Sequence, residues 1–249
     1  MTAFITGASS GLGYQFAKSL SALGYDIIAV ARRGDRLEML ASEIPTRLTP
    51  IVADLSVEAE CHRVFDAVKD SDIDIVINNA GFGLLGEFSK TDLSREMQMI
   101  DVNCRAPHIL TKLFLAKFRE EHKGYILNVC SVGGFMPGPL LASYYATKAY
   151  LVSLTRAVYE EIRHSGKSVY IGCACPGPID TEFNEVASGK AKIKSRPASF
   201  VADYCIRKMF KRRLTIIPGL EVKLSAIGAK LLPVKLMMRM TYKIQKKKI

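Results

Sequence analysis

The chain has 249 residues, 49% of them apolar and 24% charged, with 18 Gly and 10 Pro. That balance fits a globular α/β protein and excludes disordered, collagen-like and disulfide-scaffold chains; this length also buries enough surface to fold without metal or disulfide. The net charge of +11 is local: residues 205–249 carry 13 Lys and Arg against the single acid Glu221, while the rest carries 22 basic and 23 acidic groups, so no nucleic-acid partner is expected.

The first expected strand, 3–6, runs into Thr6-Gly7-Ala8-Ser9-Ser10-Gly11-Leu12-Gly13 and a helix over 11–24. Glycines between a first strand and a first helix allow a tight turn and let a pyrophosphate approach the backbone N–H groups at the helix N-terminus. The spacing G-x-x-x-G-x-G departs from the generic G-x-G-x-x-G, so taken alone it also fits a plain strand-to-helix turn. A second strand, 26–31, ends in Arg32 and Arg33. At that point of a nucleotide fold an acid binds a ribose 2′-hydroxyl and an arginine accommodates a 2′-phosphate; two guanidinium groups and no acid favour NADP over NAD. A helix over 34–43, a strand over 48–53 and a helix over 57–69 follow. The fourth strand, 73–77, leads into Asn78-Asn79-Ala80-Gly81, small turn-forming residues that let the chain pass close to a flat ligand.

A helical period covers 91–120, and a fifth strand over 124–130 ends at Ser131. In the next helix, 142–165, Tyr144 and Lys148 stand four residues apart on one face, where the ammonium lowers a phenol pKa from its usual ~10. A phenol, a cation and a hydroxyl at the carboxyl edge of a parallel sheet can move a proton on a carbonyl/alcohol pair and polarise its oxygen. Singly, the pair reads as surface packing and the serine as a cap. A strand over 168–174, a helix over 199–211 and a strand over 214–217 complete the series. Apolar strands alternating with helices predict a single α/β domain, a Rossmann-type doubly wound parallel sheet of about seven strands.

No stretch has the ~18 consecutive apolar residues of a membrane span, and no basic segment precedes the apolar start, so a cytoplasmic location is expected. The six cysteines form no Cys-x-x-Cys pair; Cys130, Cys173, Cys175 and Cys205 lie in apolar surroundings and read as reduced and buried. The four His are scattered, so no metal site is expected.

With these motifs in order, the chain resembles the short-chain dehydrogenase/reductase family from residue 2 to about 217. The glycine motif matches Thr6 to Gly13, the adenine-side acid Asp54 before Leu55, and the N-N-A-G motif Asn78 to Gly81. The active-site asparagine matches Asn103, the serine Ser131, the Y-x-x-x-K motif Tyr144 and Lys148, and the proline-glycine turn Pro176-Gly177 before Ile179-Asp180-Thr181. The resemblance implies hydride transfer between nicotinamide and a carbonyl or alcohol carbon, with Tyr144 as general acid or base and Ser131 holding the substrate oxygen. It implies Lys148 on the nicotinamide ribose, lowering the Tyr144 pKa, and Asn103 holding a relay water. NADPH would be bound by Gly7, Ser9, Ser10, Gly11, Leu12, Gly13, Arg32, Arg33, Asp54, Leu55, Asn79, Ala80, Gly81, Tyr144, Lys148, Pro176, Gly177, Ile179 and Thr181. A homodimer or homotetramer is expected. Tyr145 adjoins Tyr144 but has no lysine four residues on.

Residues 1–219 are expected to form the catalytic domain and 220–249 a basic amphipathic helical tail. The tail is similar to that of a bacterial subgroup of the family and, distantly, to steroid and long-chain 3-ketoacyl reductases. From Pro233 onward Lys235, Arg239, Lys243 and Lys246 make a basic stripe beside Leu236, Met237, Met240 and Ile244. Three readings of the tail stay open: contact with an anionic membrane, closure of the cleft, and packing on a partner subunit. Phe82, Leu84, Leu85, Phe135, Met136, Leu140, Leu141, Phe183 and Val186 are expected beside the cleft, favouring a hydrophobic carbonyl substrate, and 183–197 is expected to be a mobile lid. A nucleotide-sugar epimerase would need a larger lobe after Pro176. An NADP(H)-sensing regulator without activity is the alternative, and the usual loss of tyrosine or lysine is not seen.

Overall fold

The computed structural model describes residues 1–166, 168–182 and 195–247. Its strands are β1 (Thr2–Thr6), β2 (Asp26–Ala31), β3 (Leu48–Val52), β4 (Ile75–Asn78), β5 (Tyr125–Val129), β6 (Tyr170–Ala174), β7 (Ile179–Asp180), β8 (Arg196–Pro197) and β9 (Thr215–Ile216). Seven of them form one sheet in the order β3-β2-β1-β4-β5-β6-β9, with every neighbouring pair parallel. β7 and β8 make a separate parallel pair that the sequence did not signal.

The helices are α1 (Gly11–Ala22), α2 (Gly34–Glu43), α3 (Glu58–Asp66), α4 (Leu93–Ile100), α5 (Ala106–Glu120), α6 (Ala142–His164), α7 (Ala198–Phe210), α8 (Leu220–Leu231) and α9 (Val234–Lys246). Alternate strand residues face opposite helical layers. Ile5, Ile77 and Leu127 point to one side, where Phe16, Leu20, Leu37 and Ile206 of α1, α2 and α7 cover them. Phe4, Val76 and Ile126 point to the other, against Val64 of α3, Phe114 and Phe118 of α5 and Ile162 of α6. Burying such side chains contributes about 1.5–3 kcal/mol each, which explains why the central strands read as continuous apolar runs.

A buried polar chain ties this second layer to the sheet. Asn78 Nδ2 donates to Thr111 Oγ1 at 3.1 Å and to Asn128 Oδ1 at 2.8 Å, and Asn128 Nδ2 donates to Thr155 Oγ1 at 2.9 Å. All six cysteines are free; Cys104 is half-buried and the other five are buried, as expected for reduced thiols acting as small hydrophobes.

The expected single helix over 91–120 is broken. Residues Asp101–Arg105 form a π turn between α4 and α5, a local widening that places Asn103 inward. Within the expected lid, 183–194 lie outside the described residues, while Arg196 and Pro197 are held in β8. Among the described residues, no helix is long and apolar enough to cross a membrane, and no group of three His, Cys, Asp or Glu side chains is placed to hold a metal.

Candidate active site

The sheet order reverses between β1 and β4, and a cleft of about 560 Å³ opens beyond their carboxyl ends. Gly7, Ser9, Ser10, Gly11 and Leu12 line it from the β1–α1 turn, and Arg32, Arg33, Asp54, Leu55, Asn79, Ala80 and Gly81 from the ends of β2, β3 and β4. Ser131, Tyr144, Lys148, Pro176, Gly177, Ile179 and Thr181 line it from β5, α6 and the segment after β6. The predicted residues are therefore brought together, with two exceptions. Gly13 and Asn103 sit behind the lining and shape it from beneath.

The glycine turn is set by close backbone packing. Gly7 and Gly11 have φ of 68° and 56°, the left-handed region that glycine enters without a Cβ clash. Thr6 Oγ1 accepts the N–H groups of Asn79 and Ala80 at 3.0 Å, and Asn79 Nδ2 donates to Thr6 O at 3.0 Å, so the ends of β1 and β4 are locked together. Ser10 starts α1 without a side-chain capping bond, and the first turn of α1 holds no acid. Such a helix start favours an anion through its N–H groups and dipole.

Arg33 bridges this turn to the far wall. Its guanidinium donates to Ser9 Oγ at 3.3 and 3.4 Å and to Glu182 Oε2 at 3.1 Å. Glu182 also lines the cleft and was missed in the sequence; its signal was the acid directly after the matched Ile179-Asp180-Thr181. Asp54 accepts the N–H and hydroxyl of Ser56 at 3.0 and 2.8 Å, which fixes its carboxylate at the cleft edge.

Ser131, Tyr144 and Lys148 form one connected group. Ser131 Oγ accepts the Gly133 N–H at 3.0 Å, and its hydroxyl is hydrogen-bonded to the Tyr144 phenol. Lys148 Nζ lies 5.9 Å from the Tyr144 ring centroid and donates to Val129 O at 2.9 Å. Burial pushes the Tyr144 pKa well above the ordinary phenol value, and the Ser131 hydrogen bond pulls it down only in part. Desolvation, not the expected lowering by Lys148, thus decides the direction of the shift. The same burial lowers the pKa of the ammonium itself.

Gly81 lets these groups converge, since a Cβ there would stand 2.8 Å from Asn103 Oδ1 and 3.3 Å from Lys148 Nζ. Asn103 is fully buried and its amide is fully engaged: Nδ2 donates to Phe82 O at 2.9 Å and Thr147 Oγ1 at 3.0 Å, while Oδ1 accepts the Phe82 N–H at 3.1 Å. Its side chain braces the cleft wall against α6. Buried Glu96 of α4 does the same for the start of α6, accepting from Ser143 Oγ at 2.9 Å.

Of the expected apolar neighbours, Phe82 and Leu141 line the cleft, whereas Leu84, Leu85, Phe135, Met136 and Leu140 do not, and Phe183 and Val186 lie outside the described residues. Val132, Tyr145, Ile244 and Gln245 also line the cleft. The last two come from α9, so the tail packs across the cleft. Its inward face shares only Met237 and Ile244 with the expected apolar side. Met237, Thr241 and Gln245 are buried, while Leu236, Met240 and Ile244 are 46%, 49% and 56% exposed. On this inward face Gln245 is hydrogen-bonded to Tyr145, and Thr241 returns its hydroxyl to Met237 O within the helix.

A doubly wound sheet with a glycine turn at its switch point and a Ser, Tyr, Lys group across the cleft defines the class of nucleotide-binding α/β proteins with an acid-base site. The short chain dehydrogenase family model matches residues 1–191, and the chain belongs to that family. It is 31% identical over 209 residues to a very-long-chain 3-oxoacyl-CoA reductase of Pyrenophora tritici-repentis, covering 80% of this chain and 60% of the fungal protein. The chain thus spans about three fifths of that relative. A short-chain dehydrogenase from Sphingobium yanoikuyae in complex with NADPH has a TM-score of 0.83 at 29% identity, covering 92% of this chain and 93% of that one. The bulky-bulky ketone specific alcohol dehydrogenase from Comamonas testosteroni has a TM-score of 0.79 at 29% identity, covering 93% of this chain and 94% of that one.

Proposed function

We propose that this protein is an NADP-dependent oxidoreductase acting between a carbonyl and a secondary alcohol of a hydrophobic small molecule. The observation that carries this reading is the Tyr144 phenol, hydrogen-bonded to Ser131 and kept neutral by burial, in one cleft with an anion-accepting glycine turn. The turn fits a dinucleotide: Gly7 and Gly13 leave no room for a Cβ, and Ser10 keeps its hydroxyl off the helix cap. When bound, the nicotinamide supplies or accepts the hydride. Ser131 holds the substrate oxygen, and Tyr144 gives it a proton in reduction and takes one in oxidation. Lys148 holds ribose hydroxyls and supports charge developing on the phenol.

Arg32, Arg33 and Ser10 would receive a 2′-phosphate, and the NADPH complex of the Sphingobium relative supports that choice. Phe82, Val132, Leu141 and Ile244 favour an apolar substrate, in keeping with the bulky ketones of the Comamonas relative. A sensing role is the weaker reading, because Tyr144 and Lys148 are both present and positioned. Residues 1–219 act as the catalytic unit and 220–249 as its appendage. The outer face of α9, with Leu236 and Met240 beside exposed Lys235, Arg239 and Lys243 and no acid, fits an anionic lipid surface. A cytoplasmic homodimer or homotetramer is the expected setting.

NADPH consumption with a panel of aldehydes, ketones and diketones tests the reading. Tyr144→Phe is expected to lower the rate by about 10²–10⁴-fold while NADPH affinity stays within about twofold. Wild-type turnover in that variant, or no consumption with any carbonyl, overturns it.

A further inference from the structure

Gln245 reaches the cleft from the last helix and is 4% exposed. Its Nε2 donates to Tyr145 Oη at 2.9 Å, a contact across 100 positions of sequence. The other end of the amide, Oε1, is buried with no hydrogen-bond partner. A buried carboxamide oxygen left unpaired is unfavourable unless something else in the functioning protein supplies the missing bond. Turning the amide over exchanges its ends and leaves one of them unpaired just the same.

The partner ring is held as firmly as the amide. A Cβ on Gly138 would stand 2.4 Å from Tyr145 ring carbons, and one on Gly133 would stand 3.3 Å away, so the ring lies on Gly138, where only glycine fits, and packs tightly against Gly133. Its centroid is 6.1 Å from that of Tyr144, with the rings at 74°. Tyr145 is therefore set edge-on beside the proton-transferring phenol, with its own hydroxyl turned to Gln245. With Nε2 donating to the Tyr145 oxygen, the pair keeps the phenol O–H as a donor and Oε1 as an acceptor. In the other amide orientation it keeps a phenol lone pair and an N–H. Either arrangement leaves one donor and one acceptor beside a wall to which the apolar side chains of Phe82, Val132, Leu141 and Ile244 also contribute.

We propose that Gln245, through its bond to Tyr145, is a specificity-determining residue that selects apolar carbonyl substrates carrying a hydroxyl away from the reacting carbon. A hydroxyl both donates and accepts, so it matches the pair in either amide orientation, whereas an unsubstituted hydrocarbon body leaves the amide end unpaired. This deepens the reductase reading by naming the polar feature of the substrate. It also assigns the C-terminal helix a recognition role that the apolar pattern of the tail did not suggest.

The test uses the full-length protein saturated with NADPH and a matched set of bicyclic ketones, a parent and its ring-hydroxylated isomers, in the Tyr144→Phe background so that binding is read without turnover. At least one isomer is expected to bind roughly tenfold tighter than the parent. Gln245→Met, which keeps length and volume, should bring that ratio close to one without changing the affinity for the parent by more than about twofold. Tyr145→Phe, which keeps the ring on its two glycines, should remove the same preference, and the double variant should lose no more than either alone. A purely structural role would instead weaken parent and hydroxylated ketones alike. No preferred isomer, or a preference that survives Gln245→Met, overturns the proposal. Because the readout is binding, it is separate from whether any of these ketones is turned over by the wild type, which is the test of the reductase reading.

Discussion

A Cβ built on Gly13 would stand 2.2 Å from the carbonyl oxygen of Gly7 and 2.4 Å from the side-chain nitrogen of Asn79. The first turn of α1 is thus pressed directly onto the loop it helps to form. Both neighbours are fixed, Gly7 through its N–H bond to Val30 O at 2.7 Å and Asn79 through its bond to Thr6. Gly13→Ala is expected to destabilise the fold by about 3 kcal/mol and lower the melting temperature by roughly 8 °C. NADPH affinity should fall by roughly tenfold or more, because the turn proposed to receive the pyrophosphate is displaced. Calorimetric melting and NADPH titration of the variant check both; an unchanged melting temperature would show that the helix shifts freely.

Arg33 shares its guanidinium between Ser9 and Glu182 at the position proposed for the 2′-phosphate. The ion pair is partly exposed on both sides, so its own contribution is at most about 1 kcal/mol. Replacing Glu182 by Gln should free the arginine and raise NADPH affinity by roughly threefold, leaving NADH affinity alone. Arg32→Ala and Arg33→Ala should each cost NADPH about tenfold and NADH little. Titration calorimetry with both nucleotides decides; equal losses for the two would place the arginines elsewhere on the cofactor.

Lys148 carries a sign that stability measurements can read. Burial holds its pKa below the ordinary 10.5, so between the two values the unfolded chain binds more protons than the folded one. Stability of the unliganded protein therefore rises as pH increases through the folded pKa, and the gain is complete above 10.5. Lys148→Met removes that linkage. Comparing urea unfolding from about pH 7 to about pH 10, the wild type should gain on the variant as pH rises. The variant should also lose turnover and NADPH affinity together. Parallel pH profiles for the two proteins would mean that the ammonium is no better hydrated in the unfolded chain.

The outward face of α9 makes a separate prediction. Flotation with vesicles containing anionic lipid should carry the full-length protein upward at low salt, and zwitterionic vesicles should not. Changing Lys235, Arg239 and Lys243 together to Gln should weaken partition by roughly a hundredfold, at about 1 kcal/mol per basic residue. None of these side chains faces the cleft, so NADPH binding should be unaffected. Recovery of the wild type in the soluble fraction with every lipid would leave this face for a protein partner, and sedimentation would then show whether that partner is a second copy.

What the sequence settled by itself is local. The strands β1, β2, β4, β5 and β6 were legible because central parallel strands are apolar on both faces, and the turns after them because Gly7, Gly11 and Gly81 stand where side chains are not tolerated. Tyr144 and Lys148 were readable as a pair because four residues on a helix make one face. Tertiary structure alone decided the rest. A π turn at Asp101–Arg105 adds a residue to one helical turn, a phase shift too local to stand out in the periodicity of 91–120, so that periodicity did not show the break that turns Asn103 inward. The roll of α9 followed its amphipathic pattern only in part: Met237 is buried and Ile244 meets the cleft, but Leu236 and Met240 face outward while polar Thr241 and Gln245 are buried, Gln245 on its bond to Tyr145. The pKa of Tyr144 followed burial rather than its neighbouring lysine, because desolvation depends on everything that packs around the phenol and not on spacing along a helix.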